Sequence, residues 1–228
     1  MKRKYKVNAK ETINTINSLL NDGITKLSVL IRHSDRHFSK IPDLEPFMCL
    51  TTKGKKLAFD FGAALDNKLI PRLYSSTFGR CVETAYLIDK GFTKKNKINL
   101  AHNYTDKKLA PFYIKDINKA VAKVRELGNH VFLRNWFDRT LNNGVMQNPQ
   151  KTADILCKFM IKKIDKLKKN EIAICVSHDW NIYPLKEFKM NPLHKIIKEV
   201  GYLDGVIFFE KKSKYYITSH KTKPILYV

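Results

Sequence analysis

The chain has little of what would place it in a membrane. Its longest apolar runs, "LSVLI" and "IAICV", fall far short of the roughly 20 residues that cross a bilayer. The basic start of "MKRKYKVNAKETINTINSLL" leads into no apolar stretch of signal-peptide length. The sequence therefore predicts a chain that begins at Met1, stays in the cytoplasm and does not insert into a membrane. Cysteine is scarce: Cys49, Cys81, Cys157 and Cys175 are scattered and form no C-x-x-C pair, which predicts buried free thiols and no cysteine metal site. No HxH or HExxH spacing occurs, so His37, His102, His130, His194 and His220 are expected in surface or core roles, not as ligands; no metal or cofactor is implied. Ser75 and Ser76 lack the Gly-x-Ser-x-Gly surroundings of a nucleophilic serine. Glycine and proline number only 9 and 8 in 228 residues, no linker rich in them divides the chain, and no internal repeat is present. A single domain over 1–228 is the expectation.

Acidic residues are also few. Lys and Arg outnumber Asp and Glu by 43 to 21, leaving a net charge of +22. Such a field draws anions and speeds their arrival. A phosphorylated small molecule, a phosphopeptide, a nucleic acid or an anionic surface would each respond to it. The lysines lie scattered in "KKNK" and "KKIDKLKKN", not in one stripe with aromatics between, so a solvated Lys-rich surface is favoured over nucleic-acid binding.

What is present is an alternation of helical and strand patterns. "KETINTINSLLN" sets Ile13, Ile16, Leu19 and Leu20 on one helical face, and "NDG" stops it. "KLSVLI" (26–31) and "EIAICVS" (171–177) are continuous apolar runs, the mark of strands buried on both faces. Helices are predicted over about 52–68, over 80–91 with Gly91 as the stop, and over 149–169. Shorter strands are predicted at "RLYSS" (72–76) and "INLAH" (98–102), with a hairpin around "KKSK" near the end. Residues of about 105–145 break the rhythm and read as a helical insertion capping a pocket. There Phe132, Trp136 and Phe137 form either core packing or a pocket wall. The pattern predicts an α/β fold of three layers, α/β/α, with a largely parallel central sheet.

In such folds ligands bind at the carboxyl ends of the strands. The first buried run leads straight into "RHSDRH" and the second into "SHDWN", which should bring His33 and His178 to one edge. "SSTFGRCVETA" adds Arg80 at the start of a helix, where unpaired N–H groups favour anions. Arg32, Arg36 and Arg80 would repel one another unless gathered around an anion, and guanidinium geometry suits phosphate oxygens. A neutral imidazole among them can attack phosphorus, and a second can donate to the oxygens. A carboxyl must still protonate the departing alkoxide; Asp179, beside His178, is the nearest in sequence.

These segments resemble the histidine phosphatase superfamily. "LIRHSDR" is similar to its Arg-His signature in the acid-phosphatase branch, "SSTFGR" to its Ser-x-x-x-Arg segment, "SHD" to its second histidine and acid, and "LTTKGKKLAFDFGAAL" to its Leu-Thr-x-x-Gly helix. The resemblance covers about residues 26–90 and 171–181. It implies a phosphoglycerate mutase-like fold and a metal-independent phosphomonoesterase working through a phosphohistidine on His33. Arg32, Arg36 and Arg80 would hold the phosphate, His178 would bind it as well, and Asp179 would be the acid. Ser34 stands where the family has glycine, and "RCVETA" resembles the mutase-like branch, in which the acid lies after the Arg80 helix. Asp106, Asp116 and Glu83 are therefore rival acids. A phosphomutase and a non-catalytic polyanion binder are the alternative functions.

Overall fold

The computed structural model describes residues 6–190, 199–220 and 222–227. Seven strands form one sheet: β1 (Lys26–Arg32), β2 (Ile70–Ser75), β3 (Tyr104–Thr105), β4 (Glu171–Ser177), β5 (Gly205–Lys211), β6 (Lys214–Ser219) and β7 (Ile225–Leu226), in the order β3-β2-β4-β1-β5-β6-β7. The four strands β3, β2, β4 and β1 run parallel, while β5, β6 and β7 pair antiparallel. β1 and β4 sit side by side in register from Lys26↔Glu171 to Arg32↔Ser177. That central position explains their unbroken apolar sequences. Leu27, Val29, Leu30, Ile31 and residues 172–176 are inaccessible to solvent, and each large side chain buried this way contributes about 1.5–3 kcal/mol. The outermost strands are two residues long, which leaves little open edge for pairing with other chains.

Helices cover both faces. On one side α1 (Ala9–Asn21), α2 (Thr52–Ala64) and α3 (Gly79–Asn96) pack on Leu27, Val29, Ile31, Ile172 and Ile174. On the other, α4 (Ile117–Leu127), α5 (Asn129–Phe137), α6 (Pro149–Asp165) and α7 (Asp179–Leu185) pack on Leu30, Cys175, Val206 and Phe208. The strand alternation thus feeds two separate cores, and the expected three-layer α/β/α arrangement with a largely parallel sheet centre is found. Among the described residues no helix is long and apolar enough to cross a membrane.

Several expectations shift. Gly91 does not end its helix: α3 continues to Asn96 and closes at Lys97, which has φ 58°. Gly91 instead marks a close crossing, since a Cβ there would collide with the Phe59 carbonyl of α2. Gly62 on α2 faces the Ile88 carbonyl in the same way. α2 stops at Ala64 and α6 at Asp165, both short of the predicted ends. "INLAH" is not a strand. Ile98 and Leu100 pack against the helix-side core, and only the following Tyr104–Thr105 reaches β2, pairing with Tyr74 and Ser75. The β5–β6 hairpin turns at Lys212 and Ser213 with both φ positive, the geometry that matches strand twist. Cys81, Cys157 and Cys175 are buried and unpaired, but Cys49 is exposed, because the segment that carries it forms no helix or strand and lies at the surface.

Candidate active site

β1, β4 and β2 end at the same edge, and His33, His178 and Ser76 each follow one of them directly. The His33 and His178 rings meet with centroids 5.6 Å apart and planes at 69°. Both residues are almost wholly buried, at 2% and 3% exposure, and both line a cleft of about 390 Å³. Arg32, Arg36, Arg80 and Asp179 line it too, so every residue proposed from the two strand ends and the α3 start is brought together.

The loop after β1 is held by the start of α2. Thr51 Oγ1 accepts from the Gly54 N–H at 3.0 Å and caps the helix. Gly54 lies so close to the Asp35 carbonyl that no side chain fits. Ser34 donates its hydroxyl to the Gly54 carbonyl at 2.8 Å, and its own N–H is 3.2 Å from Thr84 Oγ1. These contacts account for the "LTTKG" pattern and for a serine being accepted after His33.

The tautomers follow from the partners. His33 Nδ1 lies 2.8 Å from the Ser34 carbonyl, an acceptor only, so Nδ1 carries the hydrogen and Nε2 is left with its lone pair. His178 Nδ1 lies 3.3 Å from Arg80 Nη2, a donor only; its Nε2, 3.0 Å from Ser76 Oγ, therefore carries the hydrogen. Burial holds both imidazoles well below the ordinary histidine range, with help from Arg80 and Arg32 at His33 and from Arg80, Arg36 and Arg32 at His178. Both rings are neutral at pH 7.

The guanidinium groups are crowded around them. Arg80 sits in the first turn of α3, donates to the Glu45 carbonyl at 2.8 Å, and is brought down to about 10 by burial and then by Arg36. Arg36 pairs with the Glu45 carboxylate and not with Asp35. Arg32 donates to the Val200 carbonyl at 2.6 Å, lies 4.5 Å over the Tyr202 ring, and pairs with Asp179 at 3.3 Å. The Nε atoms of Arg36 and Arg80 are buried and have no acceptor among the described residues. A buried donor left without a partner costs about 1–3 kcal/mol, more when charged, so two in one basic cleft mark a place for an anion.

The carboxyl candidates separate cleanly. Asp179 opens α7, lines the cleft at 20% side-chain exposure and accepts from the Trp180 N–H at 2.9 Å. Asp106 turns to the Lys108 N–H at 3.0 Å and to Lys163 at 3.6 Å; Asp116 caps α4 and pairs with Lys119; Glu83 accepts from the Leu50 N–H and pairs with Lys55. None of these three borders the cleft. Phe132, Trp136 and Phe137 are core residues and do not border it either. Glu45 and Tyr202 were not singled out in the sequence. Glu45 sits in a short 3-10 helix, Pro42–Phe47, whose sequence "PDLEPF" carries no periodic signal, and Tyr202 meets Arg32 through the return of the chain to β5. Among the described residues no group of His, Cys, Asp and Glu could hold a metal ion, and His194 lies outside them.

No protein-family model matches the chain, and no curated protein matches it. Solved structures do. A mutant phosphoserine phosphatase from Entamoeba histolytica, in complex with phosphoserine, is 18% identical, with TM-score 0.54 over 86% of this chain and 98% of that one. A phosphoglycerate mutase from Bacillus anthracis is 16% identical, with TM-score 0.52 over 87% and 94%. A mycobacterial glucosyl-3-phosphoglycerate phosphatase complexed with VO3 is 10% identical, with TM-score 0.55 over 87% and 100%. At such identities the likeness is one of fold: the chain shares the α/β fold of these two phosphatases and this mutase.

Proposed function

We propose that this protein is a phosphomonoesterase that forms a phosphohistidine on His33. The observation that carries this reading is the pair of neutral, buried imidazoles beside two buried guanidinium Nε atoms that lack acceptors among the described residues. The phosphate would lie among Arg32, Arg36 and Arg80 with its phosphorus toward the His33 Nε2 lone pair. That nitrogen attacks, the P–N bond forms, and the bond from phosphorus to the ester oxygen breaks. Asp179 in its acid form gives its proton to the departing oxygen. Water then attacks phosphorus, passes a proton to the Asp179 carboxylate, and inorganic phosphate leaves as the P–N bond breaks.

Two contacts would be exchanged on binding. The incoming dianion replaces Asp179 as the partner of Arg32, releasing the carboxyl for its work as acid. It also draws Arg80 away from His178 Nδ1, which can then take up a proton and donate to a phosphate oxygen as charge spreads in the transition state. Hydrolysis is favoured over mutase chemistry because the cleft opens to water past Phe38 and Ile117, both more than half exposed. Residues of about 105–145, whose α4 borders the cleft, would act as the cap. Unpaired buried thiols fit a reducing, cytoplasmic setting.

The test is hydrolysis of an aryl phosphate in the presence of chelator, with rapid acid-free quenching to trap labelled enzyme. Wild type should yield an alkali-stable, acid-labile phosphoryl label. His33→Ala should abolish the label and lower turnover by several orders of magnitude. Turnover by His33→Ala near the wild-type rate would remove the nucleophile assignment. Retention of nucleic acid with a steep salt dependence, and no hydrolysis, would support the polyanion-binding alternative instead.

A further inference from the structure

Resting on the phosphatase reading, we infer that the substrate is a phosphomonoester whose organic part is an apolar, ring-sized group with a second negative charge at its far end. Helix α4 carries the argument. Ile117, Ala120, Val121 and Val124 recur at the spacing of one helical face. An amphipathic helix normally turns such a face to the core, yet of these four only Ala120 is buried and Ile117 is 58% exposed. Ala120 and Val124 also touch the core beneath, and all four border the cleft whose floor holds His33 and the arginines. Phe38, 55% exposed, borders the same cleft.

The wall is held in place. Asn129, the first residue of α5, accepts from Trp180 Nε1 at 3.0 Å, and Trp180 stacks on Phe132 with centroids 5.3 Å apart. Trp180 directly follows Asp179, so the apolar wall is tied to the segment that carries the acid. A phosphate seated on the floor would send its ester carbons along this wall. A small polar skeleton would leave the wall wet, whereas a ring would cover it.

The far charge is read from what the cleft offers beyond its floor. Its two carboxylates, Glu45 and Asp179, are paired with Arg36 and Arg32. Arg125, in the last turn of α4, also borders the cleft and has no carboxylate partner among the described residues; the adjacent Glu126 pairs with Lys123 at 2.8 Å. The outer cleft therefore presents a guanidinium and no free carboxylate, which suits an anion and not an ammonium group.

Three substrates test this: para-carboxymethylphenyl phosphate, its uncharged para-carbamoylmethyl analogue, and phosphoserine. The two phenols are closely alike as leaving groups, so their ratio reports the far charge. Wild type should favour the acid over the amide by about three- to fivefold in kcat/KM, the size of a partly exposed ion pair, and should show a lower KM for both than for phosphoserine. Arg125→Gln should bring the acid-to-amide ratio toward one. Ile117→Asp, at an exposed position that tolerates charge for folding, should raise KM for both aryl esters more than for phosphoserine. KM values for the aryl esters no lower than that for phosphoserine, or an acid-to-amide ratio that Arg125→Gln leaves intact, would overturn this inference alone. Hydrolysis of none of the three would overturn the phosphatase reading and this inference with it.

Discussion

Lowering the pH from about 7.5 to about 5.5 should destabilise the folded chain through His33 and His178. In the unfolded chain each imidazole titrates near its ordinary value of 6.5, so both take up a proton across this interval. In the folded chain both are held well below that value, first by burial and then by the arginines, and stay neutral. The unfolded state therefore binds more protons as the pH falls, and stability is lost on the acid side of about 6.5. A histidine that titrates in one state and not in the other costs at most about 1.4 kcal/mol over this range, so the pair costs at most about 3 kcal/mol. For a chain of this size that lowers the melting temperature by up to roughly 12 °C. The measurement is urea or thermal unfolding at the two pH values in buffers without phosphate, comparing wild type with the His33→Asn, His178→Asn double variant. The quantity read is the loss of stability between the two pH values, whatever the absolute stability of the double variant, and it should shrink by up to about 3 kcal/mol. The other histidines and the carboxylates are common to both proteins and cancel. An equal pH-dependent loss in both would mean that the imidazoles are not held neutral, and the argument for a His33 lone pair would fall with it.

Asp179→Asn should slow hydrolysis of alkyl phosphates more than that of aryl phosphates, because a phenolate leaves with less need of a proton. Steady-state rates on one ester of each kind check this, and equal losses would point to another acid. Gly91→Ala should destabilise the protein by roughly 2–3 kcal/mol, since the added methyl meets backbone of α2 that cannot swing aside. Urea unfolding reads this directly, and a variant as stable as wild type would contradict the close crossing of α2 and α3.

Much of the site was legible because its parts are local. Each buried strand has an apolar run that ends where its polar residues begin, so "RH" and "SH" had to emerge at a sheet edge; the cap and close approach written in "LTTKG" are likewise settled within a few residues. Gly91 was misread for the same reason. Judged locally a glycine stops a helix, but here its missing side chain is what a neighbouring helix needs. "INLAH" had a strand's composition and no partner strand to bond with.

Other features exist only once distant segments meet. Asp179 faces the cleft while Asp106, Asp116 and Glu83 are occupied by lysines and backbone N–H groups elsewhere, a choice no spacing could make. Glu45 and Tyr202 hold arginines from other segments of the chain. The apolar period of α4 was visible in the sequence, but that it borders the cleft as well as the core was not. The sequence by itself determined the layers, the sheet centre and the two histidines at its edge, because burial period and chain direction are properties of short segments. Only the tertiary structure decided which carboxyl, which unpaired N–H groups and which apolar wall surround them, because charge pairing and desolvation depend on neighbours that are remote along the chain.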